Sequence, residues 1–429
     1  MKKNEASLPK IVLINTFAQG GGAALACKRL YEALQKTNQV TVKHLTQTSK
    51  PFGYYPNWGR FLYERLFFLP YERNATARFA FSPAVIGAPL HTHPFIKDAD
   101  IIHLHWFHFG FLSIEALEKL AKLNKPIVWT LHDMWAFTGG CHYASTCTHF
   151  EEECGNCHLL RRPHQQDLSH RRWQKKMAIF EKIKHWRWVA CSQWLRNTAQ
   201  KSSIGQFLTQ KNPHFRILDI PNPLDTTLFH PYPTAEVRQR WQLPIHKKLI
   251  LFAAANLQDP RKGYHYFQKA LEAIAQTQPN TLQEWAVVMF GKLPPKTDIQ
   301  LPYPIHHLGM LQGAQTLAEA YSAADVFVLP SLEDNLPNTL MESMACGTPA
   351  VAFRTGGIPE MMQHQEEGYL ADYQSIEDLA KGILYTLSMP KTVQGEKARQ
   401  KVMVSYNEEN ITQQYIKVYN ELLSDVVAY

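Results

Sequence analysis

The sequence predicts an α/β protein built from two doubly wound, Rossmann-like domains facing each other across a cleft. Three observations carry that expectation. The chain has 429 residues, more than one ordinary hydrophobic core accommodates, so two domains are expected. Short, near-continuously apolar runs alternate with helical runs, as parallel strands buried on both faces and joined by crossover helices do. The alternation restarts after "IPNPLDTTLFHPYP" (220–233), a proline-rich segment poor in helix formers, which reads as the linker. The expected domains are 1–222 and 223–405, followed by a terminal helix within 406–429.

The predicted strands of the first half are "KIVLIN" (10–15), "VTVKHLT" (40–46), "DIIHLHW" (100–106), "PIVWTLH" (126–132) and "RWVACS" (187–192). Those of the second half are "KKLILFAAA" (247–255), "WAVVMFG" (285–291), "PIHHLG" (304–309), "DVFVLP" (325–330) and "PAVAF" (349–353). Helices are expected over 262–276, 315–323 and 375–388. The last helix, 408–424, places Ile411, Tyr415, Val418, Tyr419 and Leu422 on one face, and such a face needs a groove; packing back on the first domain provides one. Open α/β sheets bind ligands at the carboxyl ends of their strands, and the candidate motifs below sit at or just beyond those ends.

Apolar residues make up 45% and charged residues 19%, with a formal charge of +8. This is a folded-protein composition whose charge favours anionic partners. No apolar run approaches the ~20 residues of a membrane span, and the opening "MKKNEASLPKIVLIN" lacks a leader's apolar core and cleavage site. Seven cysteines, an odd number in a long chain, suit a reducing compartment, so a cytoplasmic location is expected. No nucleic-acid module or single-sign charge run is present.

The segment "PSLEDNLPNTLMESMACGTPAVAF" (330–353) reads as a strand end, a polar loop and a short helix. Asn335 or Asn338 is the expected cap, with Pro337 near the first turn and Gly347 as a left-handed stop. An exposed helix start favours an anion or a sugar hydroxyl. Asp334 and Glu342 are eight positions apart, Glu333 and Glu342 nine.

"PSLED" and "ESMACGTPAV" resemble the acid–seven–acid signature of family 4 retaining glycosyltransferases, which have the GT-B fold of two Rossmann-like domains. The resemblance implies that Glu342 accepts hydrogen bonds from a nucleotide ribose. It also implies that Asp334, with the loop around Asn335 and Leu336, holds donor-sugar hydroxyls and the charge developing at the anomeric carbon. Asp334 stands where the spacing puts the family's first glutamate, and the adjacent Glu333 is its rival. The Lys-Gly at Lys262–Gly263 matches the family's pyrophosphate-binding lysine. Arg261 is the neighbouring candidate cation, because "AAAN" stands where a Gly-Arg is usual. A fixed cation there stabilises a leaving nucleoside diphosphate more as its bond breaks.

In the first half, Gly20, Gly21 and Gly22 follow the first strand and let backbone approach a ligand before a helix opens at Ala23. They resemble the family's amino-terminal glycine loop. His132 in "TLHDMW" matches a family histidine that contacts the donor sugar across the cleft, with Asp133 as its expected orienter. His103 and His105 share one strand face; without a third ligand nearby they read as acceptor-side lining rather than metal ligands. The implied activity transfers a sugar, with retention, from a nucleoside-diphosphate sugar to a glycan or lipid-linked glycan of a polysaccharide. Neither a catalytic metal nor a nucleic-acid partner is expected. A nucleotide-sugar epimerase or hydrolase of the same fold would need a further acid and base, and a non-catalytic glycan binder would be expected to lose Lys262, Glu342 or the loop acid.

"GGCHYASTCTHFEEECGNCHLL" (139–160) carries Cys141, Cys147, Cys154 and Cys157. Four cysteines ending in a Cys-x-x-Cys knuckle read first as a structural zinc site, then as disulfides, then as free thiols. This insertion, with "WTLHDMWAFTGGCHY" and "DNLPNTLME", resembles the colanic-acid and exopolysaccharide branch of the family. Residues 54–81 interleave aromatics with Arg60, Arg65, Arg73 and Arg78, and Trp58, Phe61, Leu62 and Leu66 can share a helical face. A basic amphipathic edge suits an anionic membrane surface; the alternative is an insertion packed on the first domain.

Overall fold

The computed structural model describes residues 8–50, 54–257, 259–293 and 299–427; residues 1–7, part of the opening read above for a leader, lie outside them. The chain forms two compact units: unit one is Met1–Pro221 with Ile411–Tyr429, and unit two is Asn222–Asn410.

Unit one contains β1 (Lys10–Ile14), β2 (Thr41–Leu45), β3 (Ile101–Leu104), β4 (Ile127–Leu131), β5 (Trp186–Ala190) and β6 (Arg216–Asp219). They form one sheet in the order β2-β1-β3-β4-β5-β6, parallel throughout. Alternate residues of a strand face opposite ways, and β1 shows the consequence. Val12 and Ile14 join a core with Ile102, Leu104 and Trp129. Ile11 and Leu13 join a second core with Leu30, Leu34 and the terminal helix. Burial on both faces explains why these strands read as apolar runs.

Unit two repeats the plan with β7 (Lys248–Asn256), β8 (Trp285–Lys292), β9 (Ile305–His307), β10 (Val326–Leu329), β11 (Ala350–Phe353) and β12 (Gly368–Ala371). The order is β12-β11-β10-β7-β8-β9, again parallel. Ten strands were expected and twelve are present among the described residues. The two additions, β6 and β12, are four-residue strands at sheet edges. β6 has only two apolar residues, between an arginine and an aspartate, and β12 opens on glycine, so neither presents the longer apolar run that marks a central strand.

The terminal helix, Glu408–Val427, sets Ile411, Tyr415, Val418, Tyr419 and Leu422 into the core beside Ile101, Val128 and Val189. Its two tyrosines also satisfy buried polar groups. The Tyr419 hydroxyl hydrogen-bonds His103 Nδ1 at 2.7 Å, His103 Nε2 meets Thr130 Oγ1 at 2.8 Å, and Thr130 Oγ1 meets the Tyr415 hydroxyl at 2.9 Å.

Burial pushes the His103 imidazole down to about 3 from 6.5, so it is neutral when folded and accepts a proton near 6.5 when unfolded. Stability is therefore full above pH 6.5 and falls as pH drops through that range, by about 1.4 kcal/mol per unit for this group. The Tyr419→Phe variant, which leaves a buried ring nitrogen unpaired, is expected to lose about 1–3 kcal/mol in urea unfolding. An unchanged midpoint would contradict this account of the helix.

Candidate functional site

In unit two, β7 and β10 are adjacent and parallel. β7 continues in sequence to β8 on its other side, so the boundary between β7 and β10 is where the winding reverses. Ligands of open α/β sheets bind outside the strand ends at such a point. The loops leaving these two strands carry the predicted acids and cations.

After β7, Pro260–Lys262 forms a single 3-10 turn ended by Gly263 at φ +70°. That residue must be glycine, because a Cβ would lie 1.9 Å from the Pro330 carbonyl oxygen. The close approach lets the Leu332 N–H donate to the Arg261 carbonyl at 2.7 Å. It also puts Lys262 Nζ 2.6 Å from Asp334 Oδ2. Both side chains are largely shielded, at 24% and 13% exposure, so the pair is screened less than a surface ion pair.

The structure separates the two neighbouring acids. Asp334 takes the lysine, while Glu333 lies toward Tyr373, whose hydroxyl it helps push up, after burial. Arg261 turns onto Asp259, with Nη2 2.8 Å from Oδ2, so the expected second cation is paired within its own turn. Asn335 and Leu336 are buried. The following helix is Asn338–Ala345, with Pro337 rather than an asparagine as its cap and no side chain capping it; Gly347 takes the left-handed conformation at φ +67°. Glu342 is 2% exposed and accepts a hydrogen bond from the Tyr321 hydroxyl at 2.9 Å.

A third loop, missed in the sequence reading, completes this edge. Beyond β11, the Gly357 N–H donates to the Asp334 carbonyl at 3.3 Å, and Thr355 Oγ1 donates to the Leu332 carbonyl at 3.2 Å. Gly356 has φ +56°, and a Cβ there would lie 1.8 Å from the Asp334 carbonyl oxygen. The paired glycines in "RTGGIPE" (354–360) directly after a strand were the available signal. Tyr321 and Asp259 had no such signal.

Unit one holds the other candidates. Gly20 and Gly21 have φ +88° and +80° with open space where a Cβ would point, so backbone conformation rather than crowding calls for glycine. The helix starts at Gly22, not Ala23, and runs to Thr37. His132, at the end of β4, meets His105 Nδ1 through Nε2 at 3.0 Å and Cys191 Sγ through Nδ1 at 3.5 Å. Burial holds its pKa near 4, so the ring is a neutral hydrogen-bonding group at pH 7.

Three sequence expectations change here. His103 is fully buried with both ring nitrogens engaged by Thr130 and Tyr419, so it is a core residue and not acceptor lining. His105 is 3% exposed and braces His132 from behind, so it does not line an acceptor surface either. Asp133 does not orient His132. It accepts from His142 Nδ1 at 2.6 Å, Trp106 Nε1 at 2.9 Å and the Trp135 N–H at 2.8 Å. Burial opposes its charge, but His142 and these donors together hold it well below the usual carboxylate range.

The cysteine insertion is ordered by hydrogen bonds. Asp167 caps the helix Leu168–Phe180 and accepts from the Cys157 N–H at 2.8 Å. His170 and His149 donate to the Cys154 and Gly155 carbonyls, both at 2.8 Å. All four cysteines are free thiols, with burial pushing Cys141 up to about 11. Among the described residues, the set of potential metal ligands whose donor atoms all lie within 4.8 Å of one another is His108, Asp133 and His142, not the thiols. Tetrahedral zinc needs sulfurs about 3.8 Å apart, so a zinc ion there would require the four sulfurs to draw together. Both His142 nitrogens are already bonded, to Asp133 and to Ser82, and His108 packs edge-on against the His142 ring.

Comparison with known proteins shows the family. Residues 11–227 match the family model described as Glycosyltransferase Family 4, and residues 247–389 match that described as Glycosyl transferases group 1. The chain belongs to glycosyltransferase family 4. A putative colanic acid biosynthesis glycosyl transferase, WcaC of Escherichia coli strain K12, is 22% identical over 75% of this chain and 76% of its own. An N-acetyl-alpha-D-glucosaminyl L-malate synthase from Bacillus anthracis is 35% identical over 25% of this chain. That match spans 29% of the synthase, and matches to a D-inositol 3-phosphate glycosyltransferase and a plant sulfoquinovosyl transferase span 37% and 22% of theirs.

Solved structures share the GT-B fold. Sucrose-phosphate synthase from Thermosynechococcus elongatus has a TM-score of 0.63 at 18% identity, over 97% of this chain and 100% of that one. Anabaena Alr3699/HepE in complex with UDP-glucose has a TM-score of 0.61 at 16% identity, over 96% and 99%.

The Gly356→Ala variant tests the stitched loops. Strain at positive φ together with the clash against the Asp334 carbonyl is expected to cost on the order of 2 kcal/mol or more. A urea midpoint equal to that of the parent protein would show that the loop does not depend on this contact.

Proposed function

We propose that this family 4 enzyme transfers a hexosyl group, with retention of anomeric configuration, from a nucleoside-diphosphate sugar to a glycan acceptor in surface-polysaccharide assembly. The observation that carries this reading is the 2.6 Å approach of Lys262 to Asp334 at the reversal point between β7 and β10. A diphosphate beside Lys262 competes with Asp334 for the ammonium. Once it takes that charge, Asp334 is released to hold sugar hydroxyls and the positive charge that grows at the anomeric carbon. The lysine gains most when the glycosidic bond breaks and negative charge collects on the leaving group, which is differential stabilisation of the transition state.

Glu342, fixed by Tyr321, is the proposed ribose acceptor, and His132, neutral at pH 7, the proposed contact to the donor sugar. Arg261 is proposed to join the diphosphate only by leaving Asp259. The WcaC match supports the exopolysaccharide branch, and the UDP-glucose complex of a structural relative supports a nucleotide-sugar donor. The seven cysteines, all free, support a cytoplasmic setting.

Lys262→Ala is expected to lower kcat by about 10²-fold or more, the scale of losing one preorganised charge donor. Glu342→Gln is expected to weaken nucleoside-diphosphate binding in a thermal-shift assay. NMR of the first-formed product is expected to show the donor's own anomeric configuration. Unchanged turnover in Lys262→Ala, or an inverted product, would overturn the assignment.

A further inference from the structure

The helix Tyr54–Phe68 turns an apolar stripe outward. The side chains of residues 54–56 lie outside the described residues. From there on Trp58, Leu62, Leu66 and Leu69 recur at spacings of four, four and three, the period of one helical face. They are 55%, 39%, 58% and 48% exposed. Tyr63 and Phe79 add a further 54% each. Exposed apolar residues scattered singly are ordinary, but a continuous stripe marks a surface that meets an apolar partner.

Within this segment the charge left at the surface is basic. The acids within this segment, Glu64 and Glu72, are buried and paired with Arg65 and Arg78. Arg73 is exposed. Where the chain leaves the stripe at Pro70 and Tyr71, a basin of about 430 Å³ opens, lined also by Arg161, Arg162, His164, Arg171 and one acid, Asp167, which is buried and engaged by the Cys157 and Ser169 N–H groups. All three arginines are exposed. An apolar stripe beside a basic basin is the complement of an anionic bilayer, where hydrocarbon and phosphate lie side by side.

The stripe also leads to the ligand edge of the unit-one sheet. A cavity of about 330 Å³ is lined by the aromatic Phe17, Trp58, Phe61, Phe79 and Phe109 and by the polar Gln47, Thr48 and Asn57. Phe17, Thr48 and Phe109 follow β1, β2 and β3, the three strands about that sheet's own reversal point. Trp58 belongs to both the cavity and the stripe. Two of its polar groups are engaged by neighbours: Asn57 Oδ1 accepts from Arg60, and Thr48 Oγ1 bonds Thr46.

We propose that this face of unit one, with Trp58, Leu62, Leu66 and Leu69 as its apolar stripe and Arg73, Arg161, Arg162 and Arg171 as its basic margin, docks on an anionic lipid bilayer. The aromatic cavity then opens at the lipid–water boundary. Resting on the glycosyl-transfer reading, this makes the acceptor a lipid-anchored one, approached from the membrane; the docking itself does not depend on catalysis.

The test is flotation of the full chain with vesicles of phosphatidylcholine alone, or mixed with phosphatidylglycerol, in low and high salt. Co-flotation with the anionic vesicles, weakened by salt, is expected. The double variant Arg161→Glu, Arg162→Glu is expected to lose about 25-fold or more in partitioning, at about five-fold for each cation removed. Leu62→Gln with Leu66→Gln is expected to lose binding while keeping the parent melting temperature, since both side chains are exposed. Failure to float on anionic vesicles would overturn the proposal, as would equal binding by the folded variants or a self-association that Leu66→Gln abolishes without any vesicle binding. Flotation with inactive enzyme would refute the transfer reading alone; activity without flotation would refute the docking alone.

Discussion

The candidate site depends on one close approach. Gly263 lets the turn after β7 come within contact of the Pro330 carbonyl, which no side chain there would permit. From that contact follow the backbone bond between Leu332 and Arg261 and the ion pair between Lys262 and Asp334. Gly356 repeats the device from the other side, allowing the loop after β11 to rest on the Asp334 carbonyl. Three loops from three neighbouring strands thus share one fixed arrangement. Preorganisation of this kind lets a charge act on a transition state without reorganising at the moment of reaction.

Unit one answers to a different constraint. Its sheet is buried on both faces, so polar side chains on its strands need internal partners. His103 finds them in Thr130 and a tyrosine of the terminal helix. The ring of His105 lies against the His103 and His132 rings, with centroids 4.3 and 5.3 Å away. The series passes from core to strand end, and only its last member, His132, is more than marginally exposed. Burial keeps these imidazoles neutral, which suits hydrogen bonding and argues against a cationic role for them.

Much of this was legible in the chain before any coordinates. The ten stretches read as strands mark ten of the twelve strands among the described residues, and "PSLED" with Lys262–Gly263 mark the loops that meet. What escaped has physical reasons. β6 and β12 are short edge strands without an apolar run. The spacing of His103 and His105 says that they share a face, but not whether a helix from the far end of the chain covers it. Asp133 follows His132 in sequence yet turns to His142, a choice made by the fold of the loop between them. Pro337 caps its helix where asparagines nearby looked better suited, because backbone geometry rather than a side-chain acceptor starts that turn. The spacing of the four cysteines suggested a zinc site, but it could not say that Asp167, His149 and His170 would order the loop.

The account's central claim is that the Lys262–Asp334 pair marks the diphosphate position. The most direct measurement is a crystal structure of the protein soaked with nucleoside diphosphate. The account predicts phosphate oxygens within hydrogen-bond distance of Lys262 Nζ, with Asp334 turned away from it and the ribose against Glu342. A nucleotide bound elsewhere, with the Lys262–Asp334 pair intact, would contradict it.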